Sequence, residues 1–84
     1  MYRVLVERSG EKDLRKLPPD VRSRVAHALR DFANEPRPAG CRKLAGTKYD
    51  WRIRVGAYRI IYEIAEAAKI VRVYRIRHRR EAYR

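Results

Sequence analysis

The chain has 84 residues, enough for one small domain over residues 1–84 with a modest core. Lysine and arginine total 22, of which 17 are arginine, against 10 acidic residues, and the formal net charge of +12 favours a polyanionic partner. A single cysteine excludes an internal disulfide, and no segment is apolar enough for a membrane span or a secretory signal, so a soluble cytoplasmic protein is expected.

The first half of the chain predicts a strand and then two helices. Residues 2–8 alternate as a strand does, and Ser9 is the expected N-cap of a short helix that ends at Pro18-Pro19. A second helix starts there and runs to about Asn34, because its apolar residues recur at helical spacing and form one stripe. The stripe consists of Val21, Val25, Ala28, Leu29 and Phe32. The two helices are expected to form an αα-hairpin.

The second half of the chain predicts strands joined by tight turns. A short strand at residues 42–44 and a turn around Gly46 come first. Residues 51–55 and 58–64 then alternate between apolar and charged side chains, with Gly56-Ala57 as a hairpin turn between them. An antiparallel meander is therefore expected.

The last strand is predicted at residues 70–78, after a connection at 66–69. Its apolar alternation slips by one residue, which a β-bulge near Tyr74-Arg75 would reconcile. The first strand is expected beside this last one. The prediction is an α+β domain in which a two-helix hairpin packs on one face of a mostly antiparallel sheet.

The other face of this sheet is expected to be unusually basic. Arg52 and Arg54 project together, and Arg59 follows on the neighbouring strand. The last strand and the residues after it add Arg72, Arg75, Arg77, Arg79 and Arg80. A solvated sheet face would explain any one of these arginines. The whole cluster favours phosphate binding, because several contacts together release counterions.

The C-terminal segment carries further candidates for chemistry. Tyr83 lies among arginines, where its ring could stack on a nucleobase or its hydroxyl could act as a general base, and the alternative is an aromatic that anchors the terminus. His78 could be an acid, a base, a phosphate contact or a structural residue. Arg77 and Arg80 complete the candidate phosphate contacts.

No metal or cofactor motif accompanies these residues. Two histidines and one cysteine lack zinc-ligand spacing, and no glycine-rich nucleotide loop is present. An enzyme of this composition would work without metal or cofactor, using arginine, histidine and tyrosine. That inventory suits RNA, which brings its own nucleophile in the 2′-hydroxyl.

Two motifs resemble those of the RelE family of the RelE/ParE toxin superfamily: W-R-I-R-V-G-x-Y-R-I-I-Y, beginning at Trp51, and the ending H-R-x-x-x-Y, beginning at His78. The resemblance extends over nearly the whole chain. It implies a β-α-α-β-β-β fold and a toxin of a type II toxin–antitoxin pair. Such toxins enter the ribosomal A site and cut mRNA by attack of the 2′-hydroxyl on the adjacent phosphate, which inhibits translation.

The resemblance also implies roles for individual residues. Arg52 and Arg54 match paired basic residues on the active-site strand, and Arg59 matches the arginine that stabilises the transition state. Arg79 matches the residue assigned to the leaving group, and Tyr83 matches the proposed base.

Two departures from the family pattern bear on activity. The best-studied relatives have lysines where this chain has Arg52 and Arg54. Arginine does not shuttle protons, so these two are expected to act as electrostatic clamps. Ala45 stands where some relatives carry a further arginine.

Two alternatives remain open at this point. A ParE-like toxin of the same fold would target DNA gyrase, and a non-catalytic homologue would bind RNA or act only as a co-repressor. All three hypotheses share a cognate antitoxin as partner, which is expected to fold on binding through an acidic and apolar segment. Operator DNA would be contacted only through that antitoxin.

Overall fold

The protein is a five-stranded mixed sheet with helices on one face, as seen in a computed structural model that describes residues 1–44 and 50–82, with side chains up to residue 80. In chain order the elements are β1 (Arg3–Val6), α1 (Arg8–Arg15), α2 (Pro19–Asp31), β2 (Arg42–Lys43), β3 (Asp50–Val55), β4 (Tyr58–Ala65), β5 (Ile70–His78) and α3 (Arg79–Ala82). The predicted turn around Gly46 lies outside the described residues. None of the described helices is long and apolar enough to cross a membrane.

The strand order in the sheet is β1-β5-β4-β3-β2. The β1 strand runs parallel to β5, and the other neighbours are antiparallel. This arrangement confirms the predicted α+β class, the meander and the placement of the first strand beside the last.

The first helix begins earlier than the sequence predicted. Its N-cap is Glu7, with no side-chain cap, so the prediction of Ser9 as N-cap is wrong. The Ser9 hydroxyl instead donates a hydrogen bond to the carbonyl oxygen of Tyr74 at 2.7 Å. The next residue, Gly10, is so close to β5 that an added Cβ would lie 2.9 Å from the Val73 carbonyl oxygen. Contact with β5 therefore determines the first turn of α1.

The second helix carries the core stripe. Pro19 is its first residue, as predicted. The helix ends at Asp31, three residues before the predicted Asn34, because the N–H groups of Ala33 and Asn34 bond to carbonyls three residues earlier and tighten the chain into turns. The stripe packs on residues from β4 and β5, which confirms the predicted core face.

The centre of the core is Tyr62 on β4, which is fully buried and packs on Phe32 with ring centroids 4.3 Å apart. Its hydroxyl donates to the Pro36 carbonyl oxygen at 2.7 Å, which fixes the segment after α2 over the sheet. Burial raises the pKa of this phenol above its ordinary value.

Two local features place the strands in register. A two-residue loop joins β3 to β4, and Gly56 has φ of 60°, as the first position of a tight hairpin turn requires. In β5, Tyr74 is the extra residue of a bulge, since Ile61 pairs with Arg75 whereas Tyr62 pairs with Val73. The predicted hairpin and bulge are both confirmed.

Candidate nucleic-acid interface

Cross-strand pairing brings distant arginines into rows on one face of the sheet. Arg54 on β3 pairs with Arg59 on β4, which pairs with Arg77 on β5. Two residues before Arg54 on β3, Arg52 pairs with Arg42 on β2. Residues paired across a sheet project from the same face, so all five lie on the face opposite the helices.

Four of these arginines enclose a concavity of about 390 Å³, which we call the arginine groove. Its lining residues are Gly40, Arg42, Arg52, Arg54 and Arg59. Sequence reasoning identified the three arginines of β3 and β4 but missed Arg42. The pairing of the short strand at 42–43 with β3 was the signal that could have found it, since that pairing places Arg42 directly beside Arg52.

The three arginines of β3 and β4 differ in exposure. Arg54 is exposed and Arg52 half-buried, whereas Arg59 is only 6% exposed. Little of this residue reaches solvent, so the surrounding protein restricts the motion of its side chain. The groove thus combines one buried arginine with three that are more exposed.

Three arginines of the groove have no acid close by among the residues that the structure describes. Within residues 1–44 and 50–80, no carboxylate lies within ion-pair distance of Arg42, Arg52 or Arg54. Arginines this close repel one another. A ligand that presents two or more negative charges would relieve that repulsion, and the planar fork of arginine suits phosphate oxygens.

The rest of this sheet face is different. The Arg72 guanidinium lies 3.3 Å from Glu7 and 3.7 Å from Glu63, and that of Arg75 lies 2.8 Å from Asp13. We call the part of the face that carries these ion pairs, with Glu7, Asp13, Glu63, Arg72 and Arg75, the paired half. The expectation of a basic face therefore fails at Arg72 and Arg75 of β5, because acids at the N-cap of α1, on α1 and on β4 neutralise them.

At the C-terminal end of β5, the side chains of Arg77 and His78 project from opposite faces of the sheet. Arg77 shares the face of the arginine groove. His78 projects to the helix-packed face, where its ring meets that of Tyr58 edge-on at a centroid distance of 5.3 Å. Its Nδ1 accepts the backbone N–H of Arg80 at 3.3 Å. The structure therefore does not bring His78 to the groove, and its predicted contact with phosphate stays a prediction.

The remaining candidates follow β5. Arg79 and Arg80 are exposed on the single turn of α3. The backbone N–H of Arg79 donates to the Ala57 carbonyl at 2.8 Å, which ties the start of α3 to the β3–β4 turn. Tyr83 and Ala45 lie outside the described residues. Across the described side chains, no three histidines, cysteines or acids converge as a metal site requires.

Comparison with known proteins places this chain in a family. A family model described as the ParE toxin of the type II toxin–antitoxin system parDE matches residues 4–83. Toxin RelG of Mycobacterium tuberculosis (strain ATCC 25618 / H37Rv) is 36% identical over 99% of this chain and 97% of its own.

Solved structures agree with these sequence matches. A chain of the archaeal RelE–RelB complex from Pyrococcus horikoshii OT3 superposes with a TM-score of 0.83 at 29% identity, over 93% of this chain and 94% of that one. A chain of the toxin–antitoxin complex RelBE2 from M. tuberculosis gives 0.81 at 28% identity, over 92% and 96%. The chain therefore belongs to the RelE/ParE superfamily of type II toxin–antitoxin toxins.

Proposed function

We propose that this toxin is a ribosome-dependent mRNA endonuclease that cuts in the A site by attack of a 2′-hydroxyl on the adjacent phosphate. The observation that carries the proposal is the arginine groove, where Arg42, Arg52, Arg54 and Arg59 surround about 390 Å³ of open space. Such a groove can bind the sugar–phosphate backbone and stabilise the charge that develops on the scissile phosphate.

The chemistry requires only that the substrate be oriented and its charges compensated. The 2′-oxygen gives up its proton and forms a bond to phosphorus, the bond to the 5′-oxygen breaks, and the product carries a 2′,3′-cyclic phosphate. In this proposal Arg59 stabilises the negative phosphorane-like transition state, since a buried, preorganised donor needs little rearrangement during the reaction. Arg52 and Arg54 hold the flanking phosphates as fixed charges, because arginine does not transfer protons at neutral pH.

Two further roles rest on the family resemblance. Tyr83 would accept the proton of the 2′-hydroxyl, and Arg79 would compensate charge on the leaving 5′-oxygen, which takes up a proton from solvent. Arg77, on the groove face, and Arg80 and His78, near the start of α3, are proposed phosphate contacts. The ribosome would complete the geometry and restrict cleavage to the A-site codon in the cytoplasm.

The proposed protein partner is a cognate antitoxin. Both solved relatives described above are toxin–antitoxin complexes, RelE–RelB and RelBE2. The net charge of +12 favours an acidic segment in that partner. Saturating antitoxin should raise the melting temperature of this chain through linkage, and an unchanged melting temperature would contradict binding.

A gyrase-directed activity is the second candidate, and the name of the matching family model, ParE, favours it. The two activities are separable in cells, because an mRNA endonuclease stops translation first and a gyrase poison stops replication first. A non-catalytic homologue would arrest neither process.

Primer extension on a reporter mRNA in a purified translation reaction, with and without ribosomes, tests the proposal. Cuts at the A-site codon that require ribosomes are expected. They should be lost in Arg59→Ala, with folding checked by circular dichroism because this residue is buried, and strongly weakened in Arg54→Ala, whose side chain is exposed. Arg3→Ala is the matched control, since Arg3 is an exposed arginine on the opposite edge strand. Intact mRNA with ribosomes present would overturn the proposal.

A further inference from the structure

A second basic concavity adjoins the arginine groove on the other side of the β3–β4 turn. It encloses about 420 Å³ and shares Arg54 with the groove. Its lining residues are Ser23, Arg24, His27, Arg54, Val55 and Gly56. Among the residues that the structure describes, no carboxylate lines it and none lies within ion-pair distance of Arg24 or Arg54. We call this concavity the turn site.

The guanidinium of Arg24 is seated on the hairpin turn. A Cβ added at Gly56 would lie 3.3 Å from one terminal nitrogen of Arg24 and 3.4 Å from the other, so the guanidinium packs over a residue without a side chain. Gly56 also has φ of 60°, which the turn itself requires. Gly56 thus permits the hairpin turn and also leaves room for Arg24 of α2 near Arg54 of β3. A side chain held in this way loses less entropy when it binds.

The other polar groups at the turn site can also donate hydrogen bonds. The Nη2 group of Arg30 lies 3.4 Å from Nδ1 of His27. Because a guanidinium only donates, this contact assigns the acceptor role to Nδ1, and the tautomer that fits it carries its proton on Nε2, which can donate. Ser23 adds a hydroxyl that can donate as well. Two guanidinium groups, an imidazole N–H and a hydroxyl form an environment for an anion.

We propose that the turn site binds an RNA phosphate group and continues the backbone track of the arginine groove around the β3–β4 turn onto α2. This inference rests on the proposed function for its physiological substrate. Arg54 lines both concavities, so a polyanion lying in the groove meets Arg24 as the next cation beyond Arg54. The turn site contributes binding, whereas the groove contributes binding and chemistry.

The composition of the site favours nucleic acid over an acidic peptide. A peptide segment that folds on a surface gains most of its affinity by burying apolar side chains. Of the described residues that line the turn site, Val55 alone is large and apolar, and the others are polar or glycine. Phosphate contacts need no apolar surface, and their energy increases with the number of cations in the track.

The first measurement uses a fluorescein-labelled 2′-O-methyl RNA of about 12 nucleotides, long enough to span an extended single-strand site. Its blocked 2′-oxygen cannot attack, so fluorescence anisotropy reports binding whether or not the protein is an endonuclease. Arg24→Ala and Arg24→Gln are the test variants. Arg24 is exposed on a helix surface where alanine and glutamine are well tolerated. Arg3→Ala removes one exposed arginine elsewhere and controls for net charge.

We expect each Arg24 variant to weaken RNA binding by about 3–10-fold at low salt and to reduce the slope of log affinity against log salt by about 0.7, the value for one single-strand phosphate contact. Arg3→Ala should leave the slope unchanged. An unchanged slope in both Arg24 variants overturns the proposal. So does a loss equal to that of Arg3→Ala, which would mean that net charge alone matters. Weakened binding of an acidic antitoxin peptide with unaltered RNA binding would also overturn it.

The second measurement separates this inference from the proposed function. In the ribosomal cleavage reaction, Arg24→Ala should raise the toxin concentration needed for half-maximal cleavage and leave the rate at saturating toxin unchanged. If the wild-type protein does not cleave at all, the endonuclease proposal fails while the RNA-binding result still decides on the turn site. A reduced rate at saturation would assign Arg24 to the chemistry and contradict a role in binding alone.

Discussion

The arginine groove and the paired half occupy one face of one sheet, yet they treat the same residue type in opposite ways. In the paired half, Arg72 lies between Glu7 and Glu63, and Arg75 is held by Asp13. In the groove, Arg42, Arg52 and Arg54 have no carboxylate partner within the part of the chain that the structure describes. The number of arginines therefore does not locate a binding surface, whereas the positions of the acids do.

The physical difference between the two regions lies in what the arginines contact in the free protein. In the paired half, the ion pair of Arg72 with Glu7 holds the residue after β1 against β5. The ion pair of Arg75 with Asp13 holds α1 against the same strand. In the groove, Arg42, Arg52 and Arg54 repel one another, and no acid among the described residues compensates their charge in the free protein. We therefore expect substitutions in the groove to change binding and catalysis, and substitutions in the paired half to change stability.

The largest effect is expected at Arg59. Arg59→Ala should lower the rate of ribosomal mRNA cleavage by about 10²–10³-fold, the usual consequence of removing one preorganised donor to a developing oxyanion. Arg59→Lys, which keeps the charge but not the fork, should retain part of the rate. Full activity in a folded Arg59→Ala protein, measured by primer extension, would break the distinction between the two regions.

Asp13 provides the complementary test in the paired half. Its carboxylate accepts hydrogen bonds from Nε of Arg75 at 2.8 Å and from the backbone N–H of Ile76 at 2.9 Å, beyond the point where β1 stops pairing with β5. Asp13→Ala should lower the free energy of unfolding by about 2 kcal/mol, because both donors lose their partner. Asp13→Asn, which keeps an acceptor oxygen, should lose less.

Urea denaturation gives the stability of both Asp13 variants, and anisotropy with the 2′-O-methyl RNA gives their affinity. We expect the affinity of folded Asp13→Ala to stay the same or rise, since the change releases one arginine. A loss of RNA affinity as large as that of Arg54→Ala would show that the paired half also takes part in binding.

A substitution at the boundary between the two regions should neutralise part of the groove, as acids already neutralise the paired half. Ile61 lies between the two halves, since it pairs with Arg52 on one side and with Arg75 on the other. Ile61→Glu would place a carboxylate next to Arg52, as Glu63 lies next to Arg72. RNA affinity should fall by about 10-fold, equivalent to one phosphate contact replaced by an internal ion pair. Ile61→Gln is the control for size and polarity, and an equal loss there would contradict the electrostatic explanation.

The sequence predicted the architecture well because periodicity determines it. The apolar stripe of α2, the glycine turn at Gly56 and the slipped alternation that reveals the bulge at Tyr74 are all local patterns. Ser9 was misassigned as an N-cap because its hydroxyl is engaged by β5, and no local pattern encodes that tertiary contact.

The lining of the arginine groove was predicted less completely, for the same reason. Alternation identified Arg52, Arg54 and Arg59, whose strands are adjacent in the chain. Arg42 was missed because its role depends on the pairing of a two-residue edge strand. Alternation also could not distinguish Arg72 from Arg54, because the acids that neutralise Arg72 come from the N-cap of α1 and from β4.

The smallest expected effect is the titration of Tyr74, which reports the electrostatic environment of the paired half. Its pKa is raised above its ordinary value of 10.0, first by burial and then by the charge of Glu63 and a hydrogen bond with it, while Arg72 acts in the opposite direction. The unfolded phenol ionises at lower pH than the folded one, so this contribution to stability is complete below about pH 10 and declines as the pH rises through the folded-state pKa.

Glu63→Gln should move the pKa of Tyr74 back toward its ordinary value. The measurement is phenolate absorbance against pH, with Tyr74→Phe subtracted to isolate this residue from the other tyrosines. A tyrosine beside the groove arginines would shift the other way, so a lowered pKa at Tyr74 would mean that the acids of the paired half do not control its potential.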